Sequence, residues 1–232
     1  LFFSLAVVTG LTSGTAAFAD TFLVKDGAPR ADIVIADNAP RTVSLAAEEL
    51  QTYVEKISGA ALPIVTEGDG DSEAKIYVGR TTFTDKQNMS AEELDHGAFR
   101  IVSGPGWLIL FGRDRAFTPP KRYVGYRQSE EGRVRDYSKW DALTGGKYGN
   151  PVSTSRGYNS ELGIWNYDRR GSLNAVYGFL RTLGVRWYFP GELGEVTPEM
   201  KDIPLPDTDK TVHPDFGMRR LFFYYKTFGH DR

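Results

Sequence analysis

The chain has no cysteine and only three histidines in 232 residues, and it carries no excess of either charge. Each shortage removes a class of function. Without cysteine there is no disulfide, no thiolate metal ligand and no thiol nucleophile, so the core must hold together by packing alone. His96, His213 and His230 stand far apart, and none belongs to an H-E-x-x-H arrangement. No zinc site is expected, and no cofactor. Lys plus Arg number 28 against 30 for Asp plus Glu, a formal charge of -2. Neither nucleic acid nor an anionic membrane surface is therefore expected as a partner.

The phosphate-binding signatures are missing too. Gly104-Pro105-Gly106 could open a dinucleotide fingerprint, but Ile109 stands where the third glycine belongs. The strand before it also leads into a hairpin partner, not a helix, so a plain turn is the better reading. Gly145-Gly146-Lys147 fails as a phosphate loop, because Asp141 replaces the first glycine and Tyr148 the required Ser or Thr.

What is present begins with an apolar stretch, Leu1 to Ala19, ending in Ala17-Phe18-Ala19 before Asp20. It has the form of a secretory h-region with an A-x-A cleavage site, so the mature chain is expected to start near Asp20 and to be secreted or periplasmic. The missing basic n-region and starting Met point to lost first residues. A membrane anchor is the other reading, but Ser4, Thr9, Gly10, Thr12 and Ser13 make the stretch weakly apolar, and its length is marginal for a span. No stable span is expected after cleavage.

Periodicity then sets the elements. Ala31 to Ala36 is a β-branched run closed by Asp37-Asn38, which predicts a strand. Val43, Ala46, Ala47, Leu50, Tyr53, Val54 and Ile57 recur at three- and four-residue steps, one face of a helix that Gly59 would stop. Strands follow at Pro63 to Thr66 and Lys75 to Gly79, then a hairpin from Ala98 to Ser103 and Trp107 to Gly112. Ser90-Ala91-Glu92-Glu93 has capping-box spacing and predicts a short helical turn. A second amphipathic face runs through Leu173, Val176, Tyr177, Leu180 and Leu183 to Gly184. After an extended Val185 to Phe189, the stretch from Pro190 to Pro214 reads as a linker, and Met218 to Tyr225 as a strand-like run. The expected fold class is α/β (α+β), a mixed β-sheet with two main helices packed on one face, a long aromatic-rich insertion and a C-terminal linker and strand.

The insertion covers about 117–171, where periodicity fades and aromatic residues are dense. Flat aromatic faces can stack on the C–H faces of sugar rings, which makes Trp140, Tyr148 and Trp165 the candidate carbohydrate contacts. The competing reading, that these rings fold back to cover their own domain, has more weight. Carboxylate pairs occur at Glu48-Glu49, Glu130-Glu131 and Glu192 with Glu195. Closeness in sequence is poor evidence for a glycosidase acid and base, so a structural role is preferred for all of them. No catalytic residue is assigned.

One ordered set of motifs stands above this background: Leu45-Ala46-Ala47-Glu48-Glu49-Leu50-Gln51 with Ile57-Ser58-Gly59, then Ile76-Tyr77-Val78-Gly79-Arg80, then Leu108 to Asp114. It continues with Leu173-Asn174-Ala175-Val176-Tyr177-Gly178-Phe179-Leu180 and Leu183-Gly184-Val185-Arg186-Trp187-Tyr188-Phe189-Pro190-Gly191-Glu192. Together they resemble the N-terminal domain of α-glucuronidases. The same layout is found in bacterial proteins that carry this domain before a DUF4838 region and, more distantly, in β-N-acetylhexosaminidases. The resemblance covers about 31–216. It implies a non-catalytic accessory domain of a secreted glycoside hydrolase at 20–212, followed at 213–232 by the start of a (β/α)8 catalytic barrel, its partner in cis. A polysaccharide is the implied substrate of the whole protein. A free-standing carbohydrate-binding or protein-interaction module is the alternative.

Overall fold

The structure, a computed structural model, describes residues 21–117, 142, 158–159, 162–189 and 191–216. In chain order its elements are β1 (Phe22–Lys25), β2 (Ala28–Pro29), β3 (Ala31–Ile35), α1 (Arg41–Ser58), β4 (Ile64–Thr66), β5 (Ala74–Val78), α2 (Thr82–Lys86), β6 (Phe99–Gly104), β7 (Trp107–Gly112) and β8 (Asp114–Arg115). There follow β9 (Tyr158–Asn159), β10 (Ile164–Trp165), β11 (Arg169–Arg170), α3 (Gly171–Thr182), β12 (Arg186–Trp187), β13 (Glu195–Val196), β14 (Ile203–Pro204) and β15 (Asp209–Val212).

The central sheet has six strands in the order β15-β6-β7-β5-β3-β4. Strands β4, β3, β5 and β7 run parallel, while β6 is antiparallel to both β7 and β15. The protein is therefore α+β with a mixed sheet. Strand alternation divides the side chains between the two faces. Ala74, Ile76 and Val78 of β5 and Leu108 and Leu110 of β7 join the main core under the helices, whereas Ile109 and Phe111 join a smaller cluster with Leu94 and Ala98 on the opposite face. Helices α1 and α3 lie side by side over the first face and pack on each other and on the sheet.

The seven apolar positions expected on one face of α1 are all buried, and Leu50 and Leu180 are fully enclosed. Gly59 ends α1 in the left-handed conformation (φ 77°), with its N–H donating to the Glu55 carbonyl at 2.7 Å. On α3 the stripe is shifted slightly: Phe179 is buried, while Tyr177 and Leu183 are half-buried. A second glycine requirement lies at the crossing of β7 and α3. A Cβ on Gly112 would sit 2.3 Å from the Gly171 carbonyl carbon, so only two glycines let strand and helix start meet there.

Two expectations need correction. Ser90 to Glu93 makes only a single turn, with the Leu94 N–H donating to the Ala91 carbonyl at 3.2 Å, and no helix grows from it, because the chain enters the left-handed region at His96 (φ 55°) and Gly97 (φ 86°). The short helix is α2 instead, opened by a reciprocal pair: Thr84 N–H donates to Thr81 Oγ1 at 3.1 Å, and Thr81 N–H donates to Thr84 Oγ1 at 2.8 Å. Threonine at the third position lies outside the usual Glu/Gln pattern, which hides this cap from a motif search.

The stretch read as a linker also carries structure. Its β14 pairs with β1, which with β2 forms a three-stranded sheet, and β15 becomes an edge strand of the central sheet. Prolines sit at the end of β14 and outside β15, where the ladder needs no N–H from them. The leader at 1–19 and the run from Met218 to Tyr225 lie outside the described residues. Among the described residues no helix is long and apolar enough to cross a membrane.

Candidate functional site

A concavity of about 1190 Å³ among the described residues follows from the spacing of two elements. Its floor is α3, which turns Asn174, Tyr177, Gly178 and Arg181 toward it, the i, i+3, i+4, i+7 stripe left over once Leu173, Val176 and Leu180 enter the core. Phe99, Val212 and Pro214 line it as well. So do residues of the hairpin made by β12 and β13, joined through a 3-10 turn at Glu192–Gly194. In that hairpin, alternation sends Trp187, Phe189 and Glu195 into the groove, while Tyr188 and Val196 face away.

The base of the groove is a polar and aromatic relay. The Trp187 indole N–H donates to the Tyr53 hydroxyl at 2.7 Å, and that hydroxyl donates to Glu195 Oε2 at 2.7 Å. Lys56 holds the other oxygen, Oε1, at 2.6 Å. The Trp187 ring meets Tyr53 and Tyr177 edge to face, with centroids 5.1 and 5.2 Å apart. Tyr177 in turn donates to Glu49 Oε2 at 2.9 Å. Burial, together with the neighbouring carboxylate of Glu195, pushes the Tyr53 hydroxyl up to about 12. The ammonium of Lys56, with the Tyr53 hydroxyl, holds the Glu195 carboxyl below its ordinary value against the effect of burial. Glu195 is thus a fixed carboxylate with both oxygens occupied, unsuited to delivering a proton.

One carboxyl is displaced the other way. Burial pushes Asp114 up to about 6, opposed by the side chain and backbone N–H of Ser172 and the backbone N–H of Gly171. Asp114 Oδ2 accepts from the Ser172 hydroxyl at 2.5 Å and Oδ1 from its N–H at 3.0 Å. These bonds satisfy the first turn of α3, so the raised value is the cost of capping a helix from a distant strand.

The three residues singled out for sugar contact are not brought together among the described residues. Trp140 and Tyr148 lie outside them. Trp165, on β10, is 5% exposed, and its ring stands edge-on to Phe117 at 5.7 Å. Its backbone N–H donates to Asp168 Oδ2 at 2.7 Å, so here the residue helps to pack the base of the insertion. Glu192 and Glu195 do share the groove. What the sequence reading missed was the stripe from Asn174 to Arg181 and the inward half of the Trp187 to Phe189 alternation, both legible as periodicities in retrospect.

The chain matches no protein-family model and no curated protein. Among the described residues no group of three or more His, Asp or Glu side chains is placed to hold a metal ion. Any functional reading therefore rests on this groove, its hairpin and the motifs quoted above.

Proposed function

We propose that the chain is the non-catalytic N-terminal accessory domain of an exported glycoside hydrolase of α-glucuronidase type, which packs in cis against a (β/α)8 barrel carrying the catalytic carboxylates. The observation that carries this reading is the outer face of the β12–β13 hairpin. Tyr188 is 72% exposed, Leu193 93% and Val196 49%, all within nine residues of chain. Apolar side chains clustered this way on one hairpin mark a surface suited to being covered by a partner. The state of the groove carboxylate agrees, since Glu195 is bound to Lys56 and Tyr53 and a retaining or inverting glycosidase needs a protonated acid beside a free carboxylate.

Expression of this chain alone, and of the chain joined to whatever polypeptide its gene encodes beyond Arg232, tests the reading. Only the joined protein should hydrolyse aryl glycosides and glucuronoxylan fragments. A Leu193→Asp substitution should lower the thermal midpoint of the joined protein and leave that of the chain alone unchanged. Turnover by the chain alone that disappears with a carboxylate substitution inside 21–216 would overturn it.

A further inference from the structure

The inner side of the same hairpin has a different chemistry from the outer side. The groove combines aromatic surface from Phe99, Tyr177, Trp187 and Phe189 with two charged groups, Arg181 and Glu192. Both charged side chains are exposed, and neither enters a hydrogen bond or ion pair among the described residues. The other two carboxylates nearby are already satisfied, Glu49 by Tyr177 and Glu195 by Lys56 and Tyr53. The groove therefore presents one unpaired cation and one unpaired anion over an aromatic floor, with no net demand for charge.

That lining selects among ligand classes. A phosphate-bearing ligand is disfavoured, because the carboxylates of Glu192 and Glu195 line the groove beside its one cation, Arg181. A lipid tail would strip water from Arg181 and Glu192 without replacing their hydrogen bonds. A polyhydroxylated ring meets both needs, since its C–H face lies on an exposed ring such as Phe189, which is 57% exposed, while its hydroxyls accept from a guanidinium and donate to a carboxylate. At about 1190 Å³ the groove also exceeds the roughly 300–1,000 Å³ typical of a single small ligand, so an extended chain fits it better than one sugar.

We propose that this groove binds a neutral oligosaccharide, with Phe189 and Trp187 as the stacking surface and Arg181 and Glu192 as the hydroxyl partners. The choice of a saccharide over other neutral amphipathic chains rests on the glycoside-hydrolase reading, and it adds to that reading a binding site outside the barrel.

Calorimetric titration of the purified chain with cellohexaose, xylohexaose and laminarihexaose tests it. At least one should bind, and Phe189→Ala and Arg181→Ala should each weaken that binding by about tenfold or more. Both side chains are exposed, so the thermal midpoint should stay at the parent value and separate lost contact from lost fold. Tyr188→Ala, on the outer face, should leave binding unchanged. Absence of binding to all three sugars overturns the proposal, as does binding that survives both groove substitutions or falls with Tyr188→Ala. None of these outcomes bears on hydrolysis by the joined protein, so the site and the accessory-domain reading fail separately.

Discussion

The interior of the helix layer and its rim at the base of the insertion are held together by different forces. In the interior, Leu50, Leu180, Ile76, Leu108 and Leu110 are fully buried, and apolar area removed from water does the stabilising. At the rim, where the chain enters the insertion at Phe117 and returns at Trp165, a single carboxylate gathers the strands. Asp168 accepts from Arg41 Nε at 2.8 Å and Arg41 Nη2 at 2.5 Å, and also from the backbone N–H of Phe117 at 2.6 Å and of Trp165 at 2.7 Å. Beside it, Asp114 ties the start of α3 to β8 with neutral donors only. The interior is thus indifferent to pH and the rim is not. The two rim carboxylates even respond with opposite sign, because only Asp168 has a cation.

The largest effect should come from the interior. Leu50→Ala and Leu180→Ala should each cost about 2–5 kcal/mol in chemical denaturation, through lost transfer energy and the cavity left behind. If both midpoints stayed at the parent value, the helix layer would not be the stabilising unit described above.

Next in size is Asp168→Ala, expected to cost about 3 kcal/mol because it removes the carboxylate that the half-buried Arg41 guanidinium and two backbone N–H groups share. Burial opposes ionisation of Asp168, but Arg41 and the Phe117 and Trp165 amides outweigh it and hold the carboxyl below its ordinary 3.8. Its contribution is therefore complete above pH 3.8 and is lost as pH falls through the lower folded value. Limited proteolysis should show the cut sites of the Asp168→Ala variant shifting toward the insertion base. Leu50→Ala should not show that shift.

Asp114 should give the reverse pH profile. Its folded value of about 6 lies above the ordinary 3.8, so the folded state keeps a proton that the unfolded chain has released. Stability from this group is greatest below pH 3.8, declines between about 4 and 6, and is lowest above 6. Asp114→Asn removes that decline, so the variant should gain on the parent across the same interval by on the order of 2 kcal/mol. Thermal midpoints measured from pH 4 to pH 7 give the test, and parallel profiles for variant and parent would contradict the assignment.

The smallest effect is expected from Arg41→Lys, about 1 kcal/mol. An ammonium keeps the charge near Asp168 but cannot reproduce the two-pronged contact or the bond from Nη2 to the Phe117 carbonyl. A loss as large as that of Asp168→Ala would mean that geometry, not charge, dominates the rim.

Local periodicity alone was enough to determine much of this protein. The α1 face from Val43 to Ile57, the Gly59 stop, the β6–β7 hairpin at Gly104-Pro105-Gly106 and the mixed α+β class all follow from spacings of two to four residues, which set what each short segment can bury. Tertiary structure decided the rest. Asp168 meets Arg41 across 127 positions, Tyr53 meets Glu195 across 142 and Asp114 meets Ser172 across 58, pairings that no local pattern encodes. Strand β15 has only exposed and half-buried residues and so lacks an apolar signal of its own. It is a strand because β6 offers it an open row of backbone hydrogen bonds. The groove belongs to the same category: the residues of α3 and of the β12–β13 hairpin become one surface only when the helix packs on the sheet and the hairpin folds back over Tyr53, because long-range packing, not local spacing, brings their leftover faces together.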